Sequence, residues 1–269
     1  MPQAGGARSW GFVMPKVLST DDIDQFVEKG HCLLRDAFPR ELCDDALAQV
    51  WAEMPCARSD PGTWTQQLHR VQRVFHGGPF AESWTPRVVG AIDDLLGAGR
   101  WHRPRFQGWW SVIFPGFEEG PWQPPEKGWH VDGGHFHHHL DSADQALLPI
   151  FVWSDIDAGD GGTALAEGSH RITARLLAES GSDGLDAPSL TKLVQATPRP
   201  SVVEAQAKAG DVVLLHPFMA HARSANCGTR VRFISNPCIA FRQTMDLAKP
   251  QSVVERSIAD MAAEAHESA

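Results

Sequence analysis

Apolar and polar positions follow two different spacings along the chain, and the change comes near residue 105. Up to about residue 100, apolar residues recur at the three-to-four-residue spacing of amphipathic helices. The helical segments are residues 20–29, a segment that begins near Pro39, and residues 84–97. We expect Thr20 to cap the first helix and Gly30 to end it. The segment HCLLRDAF, between the first two helices, is predicted to form a strand.

Beyond residue 105, short runs rich in aromatic and β-branched residues are separated by Gly, Pro and Asp, which is typical of strands joined by turns. The runs are FQGWWSVIF, GWHVD, ALLPIFVWSDI, DVVLLHPF and TRVRFISNPCIAF. They predict a mainly β fold, a sandwich or jelly roll with flanking helices. Because no flexible linker divides helices from strands, we expect a single domain over residues 1–269, with a helical part at about 18–100 and the β core at about 104–245.

Two later segments have weaker patterns. Residues 180–201 are rich in Gly, Ser and Pro between apolar segments, which predicts a surface loop or lid. The tail at 250–269 has a modest helical pattern that ends in polar residues, and we expect it to fray.

Composition narrows the function classes. The formal net charge of −9 argues against a nucleic-acid-binding surface, which would be basic. The N-terminal segment MPQAGGARSWGFVMP has no apolar core of a signal peptide, and no apolar run is long enough to span a bilayer. The five cysteines are odd in number and contain no CxxC pair, which favours reduced thiols and a cytoplasmic protein. The sequence does not indicate an oligomeric state.

The segment GWHVD and a distant histidine are the strongest candidates for chemistry. On a strand, the His-x-Asp spacing points His130 and Asp132 to the same face. A second imidazole from another strand, His216 or His221, would complete two histidines and one carboxylate on one side of a metal. Non-haem Fe(II) oxygenases use this arrangement because it leaves the opposite coordination positions open. Further along, Arg230 or Arg232 could pair with the distal carboxylate of a bound 2-oxo acid.

Several motifs occur together in a fixed order: GWHVD, then DGGTALAEGSHR, then GDVVLLHPFMAHARSAN, then TRVR. In this order, and with the helix–strand–helix that precedes them, the sequence resembles the phytanoyl-CoA dioxygenase family of Fe(II)- and 2-oxoglutarate-dependent oxygenases. The resemblance extends from about residue 20 to 245. It implies a double-stranded β-helix, or jelly-roll, core with N-terminal helices packed on one sheet.

The resemblance also implies roles for single residues. His130, Asp132 and His221 match the metal ligands, since His221 has the family's spacing from the turn at Asp211. Arg232 matches the arginine that holds the distal carboxylate of 2-oxoglutarate, with Arg230 as second choice.

The same resemblance implies a threonine in the cosubstrate pocket, Thr163, and the use of O₂ to oxidise a substrate with release of succinate and CO₂. Two positions depart from the family pattern. Glu167 stands where proline is usual, and Arg223 where a serine or small residue is usual. Related halogenases lack the carboxylate of the triad, so Asp132 favours oxygenation over halogenation.

The substrate is left open by these motifs. We expect a small polar metabolite, and we select His135, Trp110 and Trp153 as candidate substrate contacts. His135, His137 and His139 would share one face of a strand, but without a cysteine or carboxylate nearby they do not predict a second metal site. His170 is expected to cap or pack at a helix start. The alternative functions are a zinc-dependent hydrolase on a cupin-like scaffold and a non-catalytic jelly-roll binding protein.

Overall fold

A computed structural model describes residues 15–199 and 201–267. The N-terminal segment in which we predicted no signal peptide, residues 1–15, lies almost wholly outside the described residues. The helices are α1 (Thr20–Lys29), α2 (Glu41–Ala52), α3 (Gly78–Glu82), α4 (Pro86–Leu96), α5 (Ser169–Ser180), α6 (Ala187–Ala196) and α7 (Val253–Glu267). The strands are β1 (His31–Leu34), β2 (Leu68–Val71), β3 (Phe75–His76), β4 (Phe106–Gln107), β5 (Trp110–Ile113), β6 (Leu148–Val152), β7 (Ala164–Ala166), β8 (Val202–Glu204), β9 (Val212–Leu215), β10 (His221–Ala222) and β11 (Arg232–Ser235).

Two antiparallel sheets form the β core. The large sheet has six strands in the order β1-β9-β6-β11-β5-β2, and the small sheet has three in the order β10-β7-β8. Neighbours in the sheets are mostly far apart in sequence, as in a double-stranded β-helix. The predicted jelly-roll core with flanking helices is therefore confirmed.

The large sheet is buried on both faces, which explains the continuous apolar runs. In β6 every residue is buried. Its alternate residues Leu148, Ile150 and Val152 belong to the core between the sheets, whereas Phe151 packs on the opposite face with the helices. On that face lie Phe26 of α1 and Val50 of α2. The N-terminal helices therefore cover the outer face of the large sheet, as predicted.

The N-cap of helix α1 is Ser19 rather than the predicted Thr20, which is the first residue of the helix. The Ser19 side chain accepts from the backbone N–H of Asp22, and the Asp22 carboxylate accepts from the backbone N–H of Ser19 at 2.9 Å. Ser19 has an acidic residue three positions on, which makes this reciprocal pair possible, so it takes the cap position. Gly30 ends the helix in the left-handed conformation, as expected.

The prediction of a loop at residues 180–201 was wrong in part, because the segment contains helix α6. The Asp186 carboxylate accepts from the backbone N–H of Ser189 at 2.7 Å and caps the helix. Leu190 and Val194, four residues apart, are buried against Trp129. Packing thus outweighs the Gly- and Ser-rich flanks, and the helix covers one side of the His-x-Asp segment.

The C-terminal tail also forms more structure than predicted. Val254 and Ile258 of α7 are fully buried in the main core, so this helix is docked rather than frayed. Arg100 binds the Glu255 carboxylate through two hydrogen bonds of 2.5 and 2.7 Å, and the Glu255 side chain is only 1% exposed. Like the other helices of the described residues, α7 is not both long and apolar enough to cross a membrane.

We expect Arg100→Ala to lower the free energy of unfolding by about 2–3 kcal/mol, because it leaves a buried carboxylate without its cation. Chemical denaturation monitored by circular dichroism measures the loss. A matched control is Arg171→Ala. It removes the exposed ion pair of 3.3 Å between Arg171 of α5 and Glu264 of α7. We expect the control to cost less than about 1 kcal/mol. Equal losses in the two variants would show that the Arg100–Glu255 pair does not anchor α7.

Candidate metal centre and cosubstrate pocket

His130 and His221 are brought together by a backbone bridge. The His130 N–H donates to the carbonyl of His221 at 3.1 Å, and the His221 N–H donates to the carbonyl of His130 at 3.0 Å. His221 lies on β10, opposite Leu165 of β7, which fixes it in the small sheet. The bridge sets the two imidazole centroids 4.4 Å apart. Two distant parts of the chain therefore present their imidazoles side by side.

The Asp132 carboxylate closes this group into a three-residue cluster. Asp132 Oδ1 lies 3.2 Å from His130 Nε2 and 3.4 Å from His221 Nε2. One donor atom from each residue falls within 4.8 Å of the others, a spacing that can hold one metal ion. Two imidazole nitrogens and one carboxylate oxygen on the same side suit Fe(II) with open positions opposite.

Hydrogen bonds orient the ligand atoms toward one point. The Nδ1 atoms of His130 and His221 lie 2.9 and 3.1 Å from the carbonyls of Gly128 and Met219. A carbonyl only accepts, so each Nδ1 carries the proton and each Nε2 has its lone pair available for a metal. The Asn236 side chain donates to Asp132 Oδ2 at 3.4 Å, which leaves Oδ1 toward the cluster.

The charge of Asp132 is maintained despite its burial. Burial alone would raise the pKa of this carboxyl, but His221 and His130 hold the pKa well below its usual range. For His130, burial disfavours the charged ring, yet the Asp132 carboxylate, which accepts a hydrogen bond from the charged imidazole, raises the pKa of His130 above its ordinary value. The cluster therefore carries an ionised carboxylate that attracts cations.

A cavity of about 590 Å³ opens beside the cluster. Seven residues that the sequence predicts for the site line it: His130, Asp132, His221, Arg232, Thr163, His135 and Trp110. Leu148, Ile150 and Ile234 form an apolar part of its wall. The volume accommodates a small cosubstrate together with a second small molecule.

Arg232 is the most unusual residue of this cavity. It lies on β11, is 2% exposed, and its Nε and Nη1 atoms have no hydrogen-bond partner among the described residues. Only Nη2 donates, to Ser111 Oγ at 3.3 Å. Burial, followed by repulsion from Arg223, lowers the pKa of Arg232 to about 9. A buried cation with two unsatisfied donors is costly, so the site fits a carboxylate that accepts both.

Arg230, the second choice for the same role, is used elsewhere. Its side chain is 46% exposed and binds Asp157 and Asp160, each at 2.5 Å. Arg223, one of the two departures from the family pattern, does line the cavity. Glu167, the other, lies away from it, where its carboxylate accepts from Ser201 Oγ at 2.7 Å.

The two selected tryptophans have different surroundings. Trp153 does not reach the cavity, because its ring is fully buried in the main core and its Nε1 donates to Ser235 Oγ at 2.8 Å. Trp110 borders the cavity, but its ring packs edge-on against Phe75 and Phe80. The structure therefore separates Trp153 from the other predicted site residues.

The histidine-rich segment after Asp132 forms a loop rather than a strand, so its alternate histidines do not share one strand face. Two of its imidazoles form hydrogen bonds with backbone carbonyls that fix the conformation of the segment. His137 Nε2 lies 2.8 Å from the carbonyl of Asp183, and His138 Nε2 lies 3.1 Å from the carbonyl of Gly133. Among the described residues, no second group of potential metal ligands exists. His135 alone of this run borders the cavity.

His216, the alternative distal ligand, lies outside the cluster. It is buried against the rings of His170, at 4.9 Å, and Phe26, at 5.7 Å. Burial lowers the pKa of His216 well below its ordinary value, so the ring stays neutral. His170 packs at the start of α5, as expected, and its Nε2 lies 3.0 Å from the carbonyl of Val27.

The cavity also contains residues that the sequence reasoning missed, among them Asn236 and Arg70. For Asn236 a signal exists, since it lies four residues after Arg232 and even spacing on a strand keeps side chains on one face. Arg70 has no comparable signal in the sequence.

A family comparison decides the class of the protein. The model of the family "Phytanoyl-CoA dioxygenase (PhyH)" matches residues 26–234, which is most of the chain. The chain belongs to the phytanoyl-CoA dioxygenase family. It is therefore an Fe(II)- and 2-oxoglutarate-dependent dioxygenase that uses O₂, and not a zinc hydrolase or a non-catalytic binding protein. Among curated proteins, no sequence matches significantly.

Solved structures share the fold at low sequence identity. The epimerase SnoN in complex with Fe3+, alpha ketoglutarate and nogalamycin RO is 17% identical, with 82% of each chain covered and a TM-score of 0.51. EvdMO1 is 15% identical, with 83% of this chain and 50% of that chain covered and a TM-score of 0.50. HygX from Streptomyces hygroscopicus, with nickel, 2-oxoglutarate and hygromycin B bound, is 14% identical, with 83% and 87% covered and a TM-score of 0.48.

His221→Asn and His216→Asn should separate the two candidate ligands. Substitution of a residue that hydrogen-bonds to a metal ligand typically weakens metal binding ~10–100-fold. We expect His221→Asn to weaken Ni(II) binding by more than this, because a ligand atom is lost. His216→Asn should leave Ni(II) affinity unchanged, since this ring lies in the core. Isothermal titration calorimetry measures both, with the melting temperature as a check on folding. Loss of affinity in His216→Asn alone would reverse the assignment.

Proposed function

We propose that His130, Asp132 and His221 bind Fe(II), and that Arg232 binds the distal carboxylate of 2-oxoglutarate. The enzyme then hydroxylates a small-molecule metabolite and releases succinate and CO₂, with the whole chain acting as one catalytic domain. We further propose a cytoplasmic location, supported by the unpaired cysteines.

One observation supports this function most strongly: the unsatisfied guanidinium of Arg232 in the same cavity as the ligand cluster. A hydrolytic metal site needs no buried cation of this kind. A dicarboxylate that chelates the metal at one end presents its other carboxylate several ångströms away. The flat guanidinium can donate two parallel hydrogen bonds to it, which selects both its charge and its orientation.

The residues of the chain bind and orient the metal and the cosubstrate, and they exclude water from the cavity. When bound, Fe(II) and 2-oxoglutarate supply the activation of O₂ and the oxidative decarboxylation. Thr163 lines the cosubstrate part of the cavity, and its hydroxyl is available to the same ligand. Leu148, Ile150 and Ile234 keep that part apolar, which strengthens the pairing of Arg232 with a carboxylate. Asp132 occupies the ligand position that a halide would need, which favours hydroxylation.

A small-molecule substrate is supported by the size of the cavity and by a fold neighbour. SnoN holds nogalamycin RO together with Fe3+ and alpha ketoglutarate on a similar fold. The cavity of about 590 Å³ has room for a second small molecule beside the cosubstrate.

Asp132→Ala should abolish succinate formation. Two imidazoles without the carboxylate bind Fe(II) weakly and leave the charge of the metal uncompensated. The assay contains purified protein, Fe(II), ascorbate and 2-oxoglutarate, with succinate measured by mass spectrometry. Wild-type protein should form succinate even without substrate. Unchanged succinate formation in Asp132→Ala would contradict the proposed ligand set.

Arg232→Met should have opposite effects on affinity and stability. We expect 2-oxoglutarate to bind about a hundredfold more weakly, because two charge-assisted hydrogen bonds are lost. The melting temperature of the ligand-free protein should rise by several degrees, about 1–2 kcal/mol, because a buried unsatisfied cation is removed. The visible charge-transfer band of the anaerobic Fe(II) complex reports affinity, and calorimetry reports stability.

Arg230→Gln is the matched control for that variant. It removes the ion pairs of Arg230 with Asp157 and Asp160, outside the cavity, and should leave 2-oxoglutarate affinity unchanged. If Arg230→Gln weakens binding and Arg232→Met does not, the two arginines have been assigned the wrong way round.

A further inference from the structure

The cavity has more positive charge than the cosubstrate uses. Arg70, Arg223 and Arg232 line it, and Asp132 is the one acidic side chain among its described lining residues. A divalent metal and a dianionic cosubstrate cancel each other, so the occupied site still has two positive charges in excess. This excess occurs in a chain whose formal net charge is −9, so it is a local feature of the cavity.

Neither Arg70 nor Arg223 forms an ion pair or a side-chain hydrogen bond with another described residue. Arg223 directly follows β10 of the small sheet, whereas Arg70 lies on β2 of the large sheet. The two cations therefore enter the cavity from different sheets, and both line it together with His130 and Asp132.

The sheet register explains why Arg70 points inward. On the edge strand β2, Arg70 pairs with Ser111 of β5, and Ser111 pairs with Ile234 of β11. Directly opposite residues of antiparallel strands share a face, so Arg70 lies in the same row as two cavity residues. Gln72 and Trp109, which adjoin the ends of β2 and β5, also line the cavity.

Trp109 adds an apolar surface to this edge. Its side chain is 54% exposed, although a tryptophan is expected to be largely buried. Its φ of 50° is in the left-handed region, which is strained for a bulky residue and is found most often at ligand-binding sites. The indole is thus exposed at the cavity that Arg70 also lines, and it is not packed into the core.

We propose that Arg70 and Trp109 form a second anion-binding subsite, and that the prime substrate is a small carboxylate with a flat or apolar body. The carboxylate pairs with the Arg70 guanidinium, and the body lies against the Trp109 indole, which leaves a C–H group directed toward the metal cluster. The assignment rests on the proposed function, because the metal and 2-oxoglutarate define which part of the cavity remains for the substrate.

The test compares phenylacetate with phenylacetamide, which have the same shape but differ in charge. Binding to the Fe(II)-loaded protein in excess 2-oxoglutarate is measured by anaerobic calorimetric titration. We expect the acid to bind about tenfold more tightly than the amide, as for one charge-assisted hydrogen-bonding contact. Arg70→Gln should abolish this preference, whereas Trp109→Ala should weaken both probes to the same extent.

Arg58→Gln, an exposed residue outside the cavity, is the control for net charge and should retain the preference. Equal binding of the two probes, absence of binding by both, or an unchanged preference in Arg70→Gln overturns the subsite. The charge-transfer band with 2-oxoglutarate should be unchanged in Arg70→Gln. If wild-type protein lacks that band, the proposed function fails, and the same titration on the Ni(II)-loaded protein still tests the subsite.

Discussion

The interior of this protein contains a cation, Arg232, that forms no ion pair with any residue that the structure describes. Arg232 is inserted in the middle of the large sheet, where its guanidinium is cut off from water and two of its nitrogen atoms lack acceptors. Such a group lowers stability unless a ligand satisfies it. The cost is understandable if the position is kept for binding a carboxylate, since pairing in an apolar cavity is then strong and selective.

The rest of the fold positions the cluster of His130, Asp132 and His221 relative to Arg232. Arg232 belongs to the large sheet, whereas His221 belongs to the small one, and the two sheets are held apart by the core between them. His130 joins the small sheet through its bridge to His221. The distance between metal and guanidinium therefore depends on the packing of two sheets. Helices pack on the outer face of the large sheet, and α7 packs in turn against α1, α4 and α5.

Much of this could be predicted from sequence, because the decisive features are local or ordered motifs. The alternating and continuous apolar runs predict the strands, and the ordered motifs predict the ligand cluster and Arg232. The direction of a side chain could not be predicted where both faces of a strand are apolar. For this reason the sequence did not indicate that Trp153 lies in the core. Helix α6 was missed because Leu190 and Val194 are stabilised by Trp129, a contact invisible in a Gly- and Ser-rich segment.

The most direct measurement is a crystal structure of the protein with Fe(II) and 2-oxoglutarate, grown without oxygen. We expect the distal carboxylate of 2-oxoglutarate within hydrogen-bond distance of Arg232 Nε and Nη1, the two atoms without partners in the ligand-free protein. We expect His130 Nε2, His221 Nε2 and Asp132 Oδ1 on the metal. A distal carboxylate bound to Arg223 or Arg230, with the donors of Arg232 still unpaired, would contradict the central role of this buried cation.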